Sequence, residues 1–158
     1  MPRRDPKIYA VGPMLIGFTS SFRMGQLLGY SLSVPAQLED VSTEKFMASV
    51  FVDAVRQCMK AGGYTKTEHG VESGGRFLTA YRGRIFEVCD DFQVAEARVP
   101  YAAIGCGFEL ALGSLYTSGK LDDPKGLIDP RDRVHAALEA AEMFSAAVRR
   151  PFQVQVLR

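Results

Sequence analysis

The strand-like and helix-like segments of this chain are grouped along the sequence rather than alternating, and this grouping constrains the fold most strongly. Apolar runs with a period of two predict strands, and runs with a period of 3.6 predict helices. Grouped blocks are typical of helical layers packed on antiparallel sheets, which is an α+β architecture rather than a doubly wound one. In chain order we predict strands over 7–11 and 14–18, helices over 20–32 and 42–61, strands over 76–81, 85–89 and 101–105, helices over 108–116 and from 130, and a strand over 152–157.

Turn-forming residues separate these segments. Gly12-Pro13 predicts a hairpin turn, Gly62-Gly63 ends the second helix, and the polar stretch Tyr64–Gly75 is interpreted as a long exposed loop. The 3.6-residue period also predicts which side chains face the core. These are Met24, Leu27, Leu28 and Ser31 in the first helix, Phe46, Val50, Phe51, Ala54, Val55, Cys58 and Met59 in the second, and Val134, Leu138, Ala141 and Phe144 or Ser145 in the last.

Length, charge and cysteine content narrow the class of protein. The 158 residues predict a single domain over 1–158. Because 19 Lys and Arg balance 18 Asp and Glu, a strongly basic nucleic-acid binder is excluded. No apolar run reaches the roughly 18 residues of a membrane span, and the start lacks the apolar core of a secretory signal. The three irregularly spaced cysteines predict free thiols in a reducing compartment, so we expect a soluble cytoplasmic protein.

The segment Ala103–Leu112 carries the most specific pattern. Gly105 and Gly107 flank Cys106, and glycines permit a tight strand-to-helix turn with close backbone approach. On spacing alone, this is an ordinary strand–helix junction. The stretch AIGCGFELAL nevertheless resembles the A-I-G-S-G-x-x-Y-A-L junction of proteasome β subunits and of the bacterial HslV protease, with Cys106 in place of the serine.

Three other segments resemble the same family in the expected order. Residues 77–87 are similar to the hairpin that precedes the junction, and 7–21 resemble the family's lysine strand and its G-F-A-G-S turn. Residues 136–154 look like the last helix and strand. The chain is therefore identified, along nearly its whole length, as similar to the proteasome-like and HslV-like N-terminal-nucleophile hydrolases.

This resemblance implies a fold, an activity and partners. The implied fold is a four-layer αββα sandwich of two antiparallel sheets covered by helices, and the implied assembly is a homo-oligomeric ring. Whether an ATPase or unfoldase also docks on the ring is left open by the resemblance. The implied activity is peptide hydrolysis by an N-terminal threonine, whose free amine is the general base while backbone N–H groups bind the oxyanion. The sequence predicts neither a cofactor nor a metal site.

The resemblance also assigns individual site residues. Lys7 takes the position of the family's lysine, and Ser20 that of the glycine whose N–H helps to form the oxyanion hole. The side chain of Ser20 is expected to constrain φ and to narrow the site. Cys106 replaces the serine that hydrogen-bonds near the terminal amine, and Ser145 lies where supporting polar groups are expected. Val148, close to Ser145, has an apolar side chain and is unable to supply a supporting polar group.

The start of the chain departs from the family. It begins almost at the lysine strand, and Met1-Pro2 offers no hydroxyl or thiol. We therefore expect the fold to be N-terminally shortened by its first hairpin, and the chain as written to lack the nucleophile and to be inactive. Three hypotheses stay open: a peptidase subunit whose true start lies upstream, a non-catalytic structural or regulatory subunit of a ring-shaped homo-oligomer, and an unrelated α+β binding module.

Overall fold

The computed structural model describes residues 5–122 and 128–157. The chain divides into two compact units, the first over 5–100 with Leu157 and the second over 101–156. The prediction of a single domain concerns how these units combine, and it stays a prediction. The first unit contains β1 (Ile8–Val11), β2 (Met14–Phe18), α1 (Phe22–Tyr30), α2 (Thr43–Lys45), a π-helical segment (Phe46–Phe51), α3 (Val52–Ala61), β3 (Lys66–Glu68), β4 (Val71–Ser73), β5 (Phe77–Tyr81), β6 (Arg84–Val88) and β7 (Val94–Glu96).

A five-stranded antiparallel sheet of order β1-β2-β5-β6-β7 organises the first unit. The predicted hairpins β1–β2 and β5–β6 are confirmed, and each turns through residues of positive φ, which short hairpin turns require. These are Gly12 in the first turn, and Arg82 and Gly83 in the second. The edge strand β7, which pairs with β6, was not predicted.

The stretch predicted as a long loop contains a second sheet. Strands β3 and β4 pair as a short antiparallel hairpin around His69 and Gly70, which both have positive φ. The side chain of Glu72 on β4 accepts a 2.9 Å hydrogen bond from the Arg56 guanidinium of α3. The loop prediction was wrong here because β3 is polar and exposed and β4 has a single apolar residue, the exposed Val71, so their sequence lacks the hydrophobic alternation that marks a strand.

The core of the first unit is one cluster of apolar side chains from the sheet and its helices. Met14, Ile16 and Phe18 alternate along β2 as buried positions, as expected for a strand with one face on a core. Thr79 is fully buried with them, and its hydroxyl donates to the Leu15 carbonyl oxygen at 3.3 Å. This bond satisfies a polar group that is otherwise costly to bury.

The buried residues of α1 and α3 follow the predicted 3.6-residue period. The π-helical segment between these two helices differs from the prediction. Met24, Leu27 and Leu28 are buried as predicted, but Ser31 is exposed beyond the end of α1. In the π-helical segment Met47 is fully buried and Val50 is 43% exposed. The wider i→i+5 turn rotates the side chains relative to an α-helix, so the prediction that Val50 faces the core was wrong.

The second unit consists of helices and extended segments. Its helices are α4 (Phe108–Thr117), a π-helical segment (Ser118–Asp122) and α5 (Pro130–Phe144). The predicted strands over 101–105 and 152–157 are not strands. A β-strand is defined by pairing with a neighbouring strand, and among the described residues neither segment is part of a sheet.

The predicted inward face of α5 is confirmed at Ala141, with Leu138 half-buried, and is wrong at Val134. Ala137 and Ala141 are buried, whereas Val134 is 39% and Phe144 is 77% exposed. The small residues lie inward because the helix approaches its neighbour closely: a Cβ added to Gly107 would lie 2.9 Å from the Ala141 Cβ. The periodicity is that of a helix, but the inward face is set by how closely the backbones pack rather than by side-chain size.

The fold class is therefore α+β, with antiparallel sheets and helices. Among the described residues, no helix combines the length and the apolar character that crossing a bilayer requires.

Candidate functional site

Lys7 and the turn around Ser20 lie together in the first unit. The backbone N–H of Phe18, at the end of β2, donates to the Lys7 carbonyl oxygen at 3.1 Å. The β1–β2 register, in which Ile8 faces Gly17, continues this pairing. In this hairpin Lys7 lies opposite Phe18, and Ser20 follows Phe18 by two residues. Lys7 and Ser20 are thirteen positions apart in the sequence.

Ser20 has the backbone conformation that glycine favours. Its φ is +61°, in the left-handed region that costs an L-residue about 1–2 kcal/mol. The Thr19 carbonyl oxygen accepts hydrogen bonds from the Ser20 hydroxyl at 2.7 Å and from the Ser21 N–H at 2.8 Å. The resemblance predicts Ser20 at the position of a glycine, and its φ is one at which glycine has an advantage over an L-residue.

The N-terminus of helix α1 adds positive potential to this turn. Ser21 caps the helix by accepting a 3.2 Å hydrogen bond from the Met24 N–H. The first turn of α1 contains no acidic residue and instead carries Arg23, whose guanidinium donates to the Gly62 carbonyl oxygen at 3.1 Å. The N-terminal end of a helix carries partial positive charge, so Lys7, Arg23 and the helix end share one sign.

Two aromatic rings lie beside the Lys7 ammonium. The Lys7 Nζ is 5.0 Å from the ring centroid of Phe22 and 5.8 Å from that of Phe18. Both distances are within the range of cation–π attraction. These two rings were not predicted to contact Lys7, because a pattern of residues does not reveal which side chains meet across a turn.

Cys106 belongs to the second unit, where it lies in the turn that leads into α4. Gly105 has φ +97°, and the Phe108 N–H donates to the Gly105 carbonyl oxygen at 3.2 Å as α4 begins. Cys106 is exposed. The Ser145 hydroxyl donates to the Cys106 carbonyl oxygen at 3.4 Å, which joins two predicted site residues from opposite ends of the α4–α5 pair.

The structure thus brings Lys7 together with Ser20, and Cys106 together with Ser145. Met1 and Pro2, where the sequence offers no nucleophile, lie outside the described residues. Within 5–122 and 128–157, no group of three or more His, Cys, Asp or Glu side chains is arranged to hold a metal ion.

Two other thiols differ from Cys106 in their surroundings. Burial raises the pKa of the Cys58 thiol, whose Sγ contacts the Leu27 carbonyl oxygen at 3.4 Å. Burial also raises the pKa of Cys89, with a further contribution from Glu87. A raised pKa keeps a thiol protonated and unreactive near neutral pH, so neither is a candidate nucleophile.

Solved structures resemble this chain, whereas no protein-family model and no curated protein matches it. Thiobacillus denitrificans BPH in complex with epoxomicin superimposes with a TM-score of 0.72 at 21% identity, covering 94% of this chain and 76% of BPH. A further structure of Thiobacillus denitrificans BPH gives a TM-score of 0.71 at 23% identity, covering 92% and 75% of the two chains. The chain shares the fold of BPH.

Proposed function

We propose that this chain is a subunit of a proteasome-like or HslV-like N-terminal-nucleophile hydrolase that cleaves peptide bonds. The observation that carries the proposal is the left-handed Ser20 turn beside Lys7. The proposed fold is the four-layer αββα sandwich, the proposed partners are further copies of the chain in a ring, and the proposed substrate is a peptide.

The charge around the Ser20 turn suits the transition state of acyl transfer. Attack on a peptide carbonyl places negative charge on its oxygen, and fixed donors or positive groups aimed at that oxygen lower the barrier. Lys7 and the N-terminus of α1 supply positive charge of this kind, and the Ser20 backbone has the positive φ that glycine favours. We therefore assign the Ser20 N–H to the oxyanion.

The proposed reaction has two steps. A hydroxyl oxygen attacks the peptide carbonyl carbon, and an amine base takes the hydroxyl proton and delivers it to the departing peptide amine. Water then attacks the resulting ester, which releases the acid and restores the hydroxyl. The nucleophile and the base are not among the residues assigned here, whose roles are to bind, to orient and to stabilise charge.

Cys106 and Ser145 have a supporting role in this proposal. The hydrogen bond from the Ser145 hydroxyl to the Cys106 carbonyl oxygen fixes the backbone of the Gly105–Gly107 turn. A thiol is a weaker hydrogen-bonding group than the hydroxyl at this place in the family. We expect Cys106 to form weaker side-chain hydrogen bonds than the family's serine does.

The likeness to BPH supports this proposal and supplies a probe. BPH has been solved in complex with epoxomicin, so we expect epoxomicin to bind this protein at the Lys7–Ser20 turn. The test uses protein purified from its own host, so that its N-terminus is the natural one. Hydrolysis of fluorogenic peptides is measured with and without epoxomicin, the N-terminal residue is read by intact mass, and particle size by negative-stain microscopy.

A matched pair of lysine substitutions makes this test specific. Lys7→Met removes the charge at the turn, and Lys60→Met removes an exposed charge on α3. We expect the wild-type protein to hydrolyse peptides and epoxomicin to inhibit it. The rate should fall by about 10²-fold or more in Lys7→Met and should be unchanged in Lys60→Met. Ring particles without any hydrolysis would instead favour a non-catalytic structural or regulatory subunit, and an inactive monomer would favour an unrelated binding module.

A further inference from the structure

The ring of Phe18 has a fixed position in the first unit. It is 5% exposed and is seated against Gly25 of α1, where an added Cβ would lie only 2.1 Å from a ring carbon. Tyr9 stacks on its other side with centroids 6.2 Å apart, and Tyr9 is itself seated against Gly29, one helical turn further along. Two glycines four residues apart thus form a groove on α1 that receives both rings.

The ring of Phe22 completes a cradle for the Lys7 ammonium. It meets Phe18 edge to face, with centroids 5.8 Å apart and planes at 82°, which is a favoured arrangement of two aromatic rings. Both rings therefore have defined orientations at the point where the Lys7 Nζ lies over them, at 5.0 and 5.8 Å. Lys7 is exposed, and a lysine side chain loses rotamer entropy when its ammonium is held in one place.

We infer that Phe18 and Phe22 are positioning residues for Lys7, and that their ring faces hold its ammonium beside the Ser20 turn. This inference rests on the proposed function of that turn. The rings act through Lys7 and touch no reacting atom. They fix where the positive charge lies, and a preorganised charge stabilises a developing anion better than a mobile one.

The test replaces Phe22 rather than the buried Phe18. Phe22→Leu keeps an apolar side chain but has no ring, whereas Phe22→Tyr keeps the ring face. The readout is the NMR position of the Lys7 ε-methylene protons, assigned through Lys7→Arg. Protons above an aromatic ring resonate upfield, so we expect the wild-type Lys7 signal upfield of the other lysines. We expect it to move towards them in Phe22→Leu and to stay in place in Phe22→Tyr.

Kinetics on the same variants test the role in the reaction. Loss of one cation–π contact should lower kcat for peptide hydrolysis about two- to fivefold with KM unchanged, and Phe22→Tyr should restore it. A wild-type Lys7 signal among those of the other lysines, or equal behaviour of Phe22→Leu and Phe22→Tyr, overturns the inference. If the Lys7 signal responds as expected but the wild-type protein hydrolyses no peptide, the proposed function is refuted while the ring cradle is supported.

Discussion

Replacing Gly25 by alanine tests the packing on which the Lys7 turn depends. Gly25 lies inside α1, where alanine is intrinsically favoured over glycine by about 1 kcal/mol. The added Cβ would, however, lie 2.1, 2.2 and 2.6 Å from three carbons of the Phe18 ring. No real Cβ tolerates such distances, so the ring or the helix has to move.

The expected cost follows from how little room the ring has. Phe18 is almost completely buried, with Tyr9 stacked on it, so it has no open space to enter. Overpacking of a filled core costs about 1–3 kcal/mol. Because three ring atoms are involved, we take the upper part of that range. After the gain in helix propensity, Gly25→Ala should lower the free energy of unfolding by about 1–2 kcal/mol.

Gly113→Ala is the matched control. Gly113 also lies inside a helix, α4, but an added Cβ there meets nothing within 4 Å. This substitution should therefore raise the free energy of unfolding by about 0.5–1 kcal/mol. Urea titrations give the overall stability, and native-state hydrogen exchange reports α1 and α4 separately. A Gly25→Ala protein as stable as the wild type, or shifted in the same direction as Gly113→Ala, would refute the reasoning.

Three further predictions concern other features of the chain. Ser20→Gly should raise the free energy of unfolding by about 0.5–1 kcal/mol, because glycine accepts the left-handed φ without strain; a urea midpoint at or below the wild-type value would contradict this. The Glu44 backbone N–H and then Arg84 hold the pKa of the Glu44 carboxyl at about 2 instead of 4.5. Its contribution to stability is therefore complete above pH 4.5 and is lost as the pH falls through about 2, so Glu44→Gln should flatten this part of the acid titration, and unchanged curves would refute the assignment. Iodoacetamide should modify the exposed Cys106 before Cys58, whose pKa is raised by burial; peptide mapping that finds Cys58 first would be inconsistent with the structure.

Local chemistry was enough to predict the main hairpins and helices. The β1–β2 and β5–β6 turns carry glycines at positions of positive φ. Helix α5 begins where Pro130 follows the capping residue Asp129, whose side chain accepts a hydrogen bond from the Arg131 N–H at 2.8 Å. Such signals are contained within a few residues, so no knowledge of the tertiary fold is needed to read them.

Features that depend on distant partners were not predictable in this way. The β3–β4 hairpin gains its Arg56–Glu72 ion pair from a helix, and its own residues show no apolar alternation. The π-helical segment changes which side chain is buried without any proline or glycine to mark it. Ala137 is buried with Ala111 and Leu115 of α4, a contact that the period of α5 alone does not reveal.

The candidate site was predictable in its polar residues and not in its aromatic ones. Lys7 and Ser20 were predicted by resemblance to a family, and the φ of Ser20 lies in the region that favours glycine. Phe18 and Phe22 are apolar residues in a core-forming stretch, and nothing in their spacing distinguishes a ring that packs from a ring that faces a cation. The Phe18 ring packs against Gly25, a contact that forms only when the helix and the sheet are assembled.

A crystal structure of the protein from its own host, grown with epoxomicin, tests the central claim most directly. We predict that epoxomicin binds at the left-handed turn. An oxygen of the inhibitor should accept a hydrogen bond from the Ser20 N–H, and the Lys7 ammonium should lie beside that oxygen. Epoxomicin bound away from these two residues, or a protein that takes up none, would contradict this prediction.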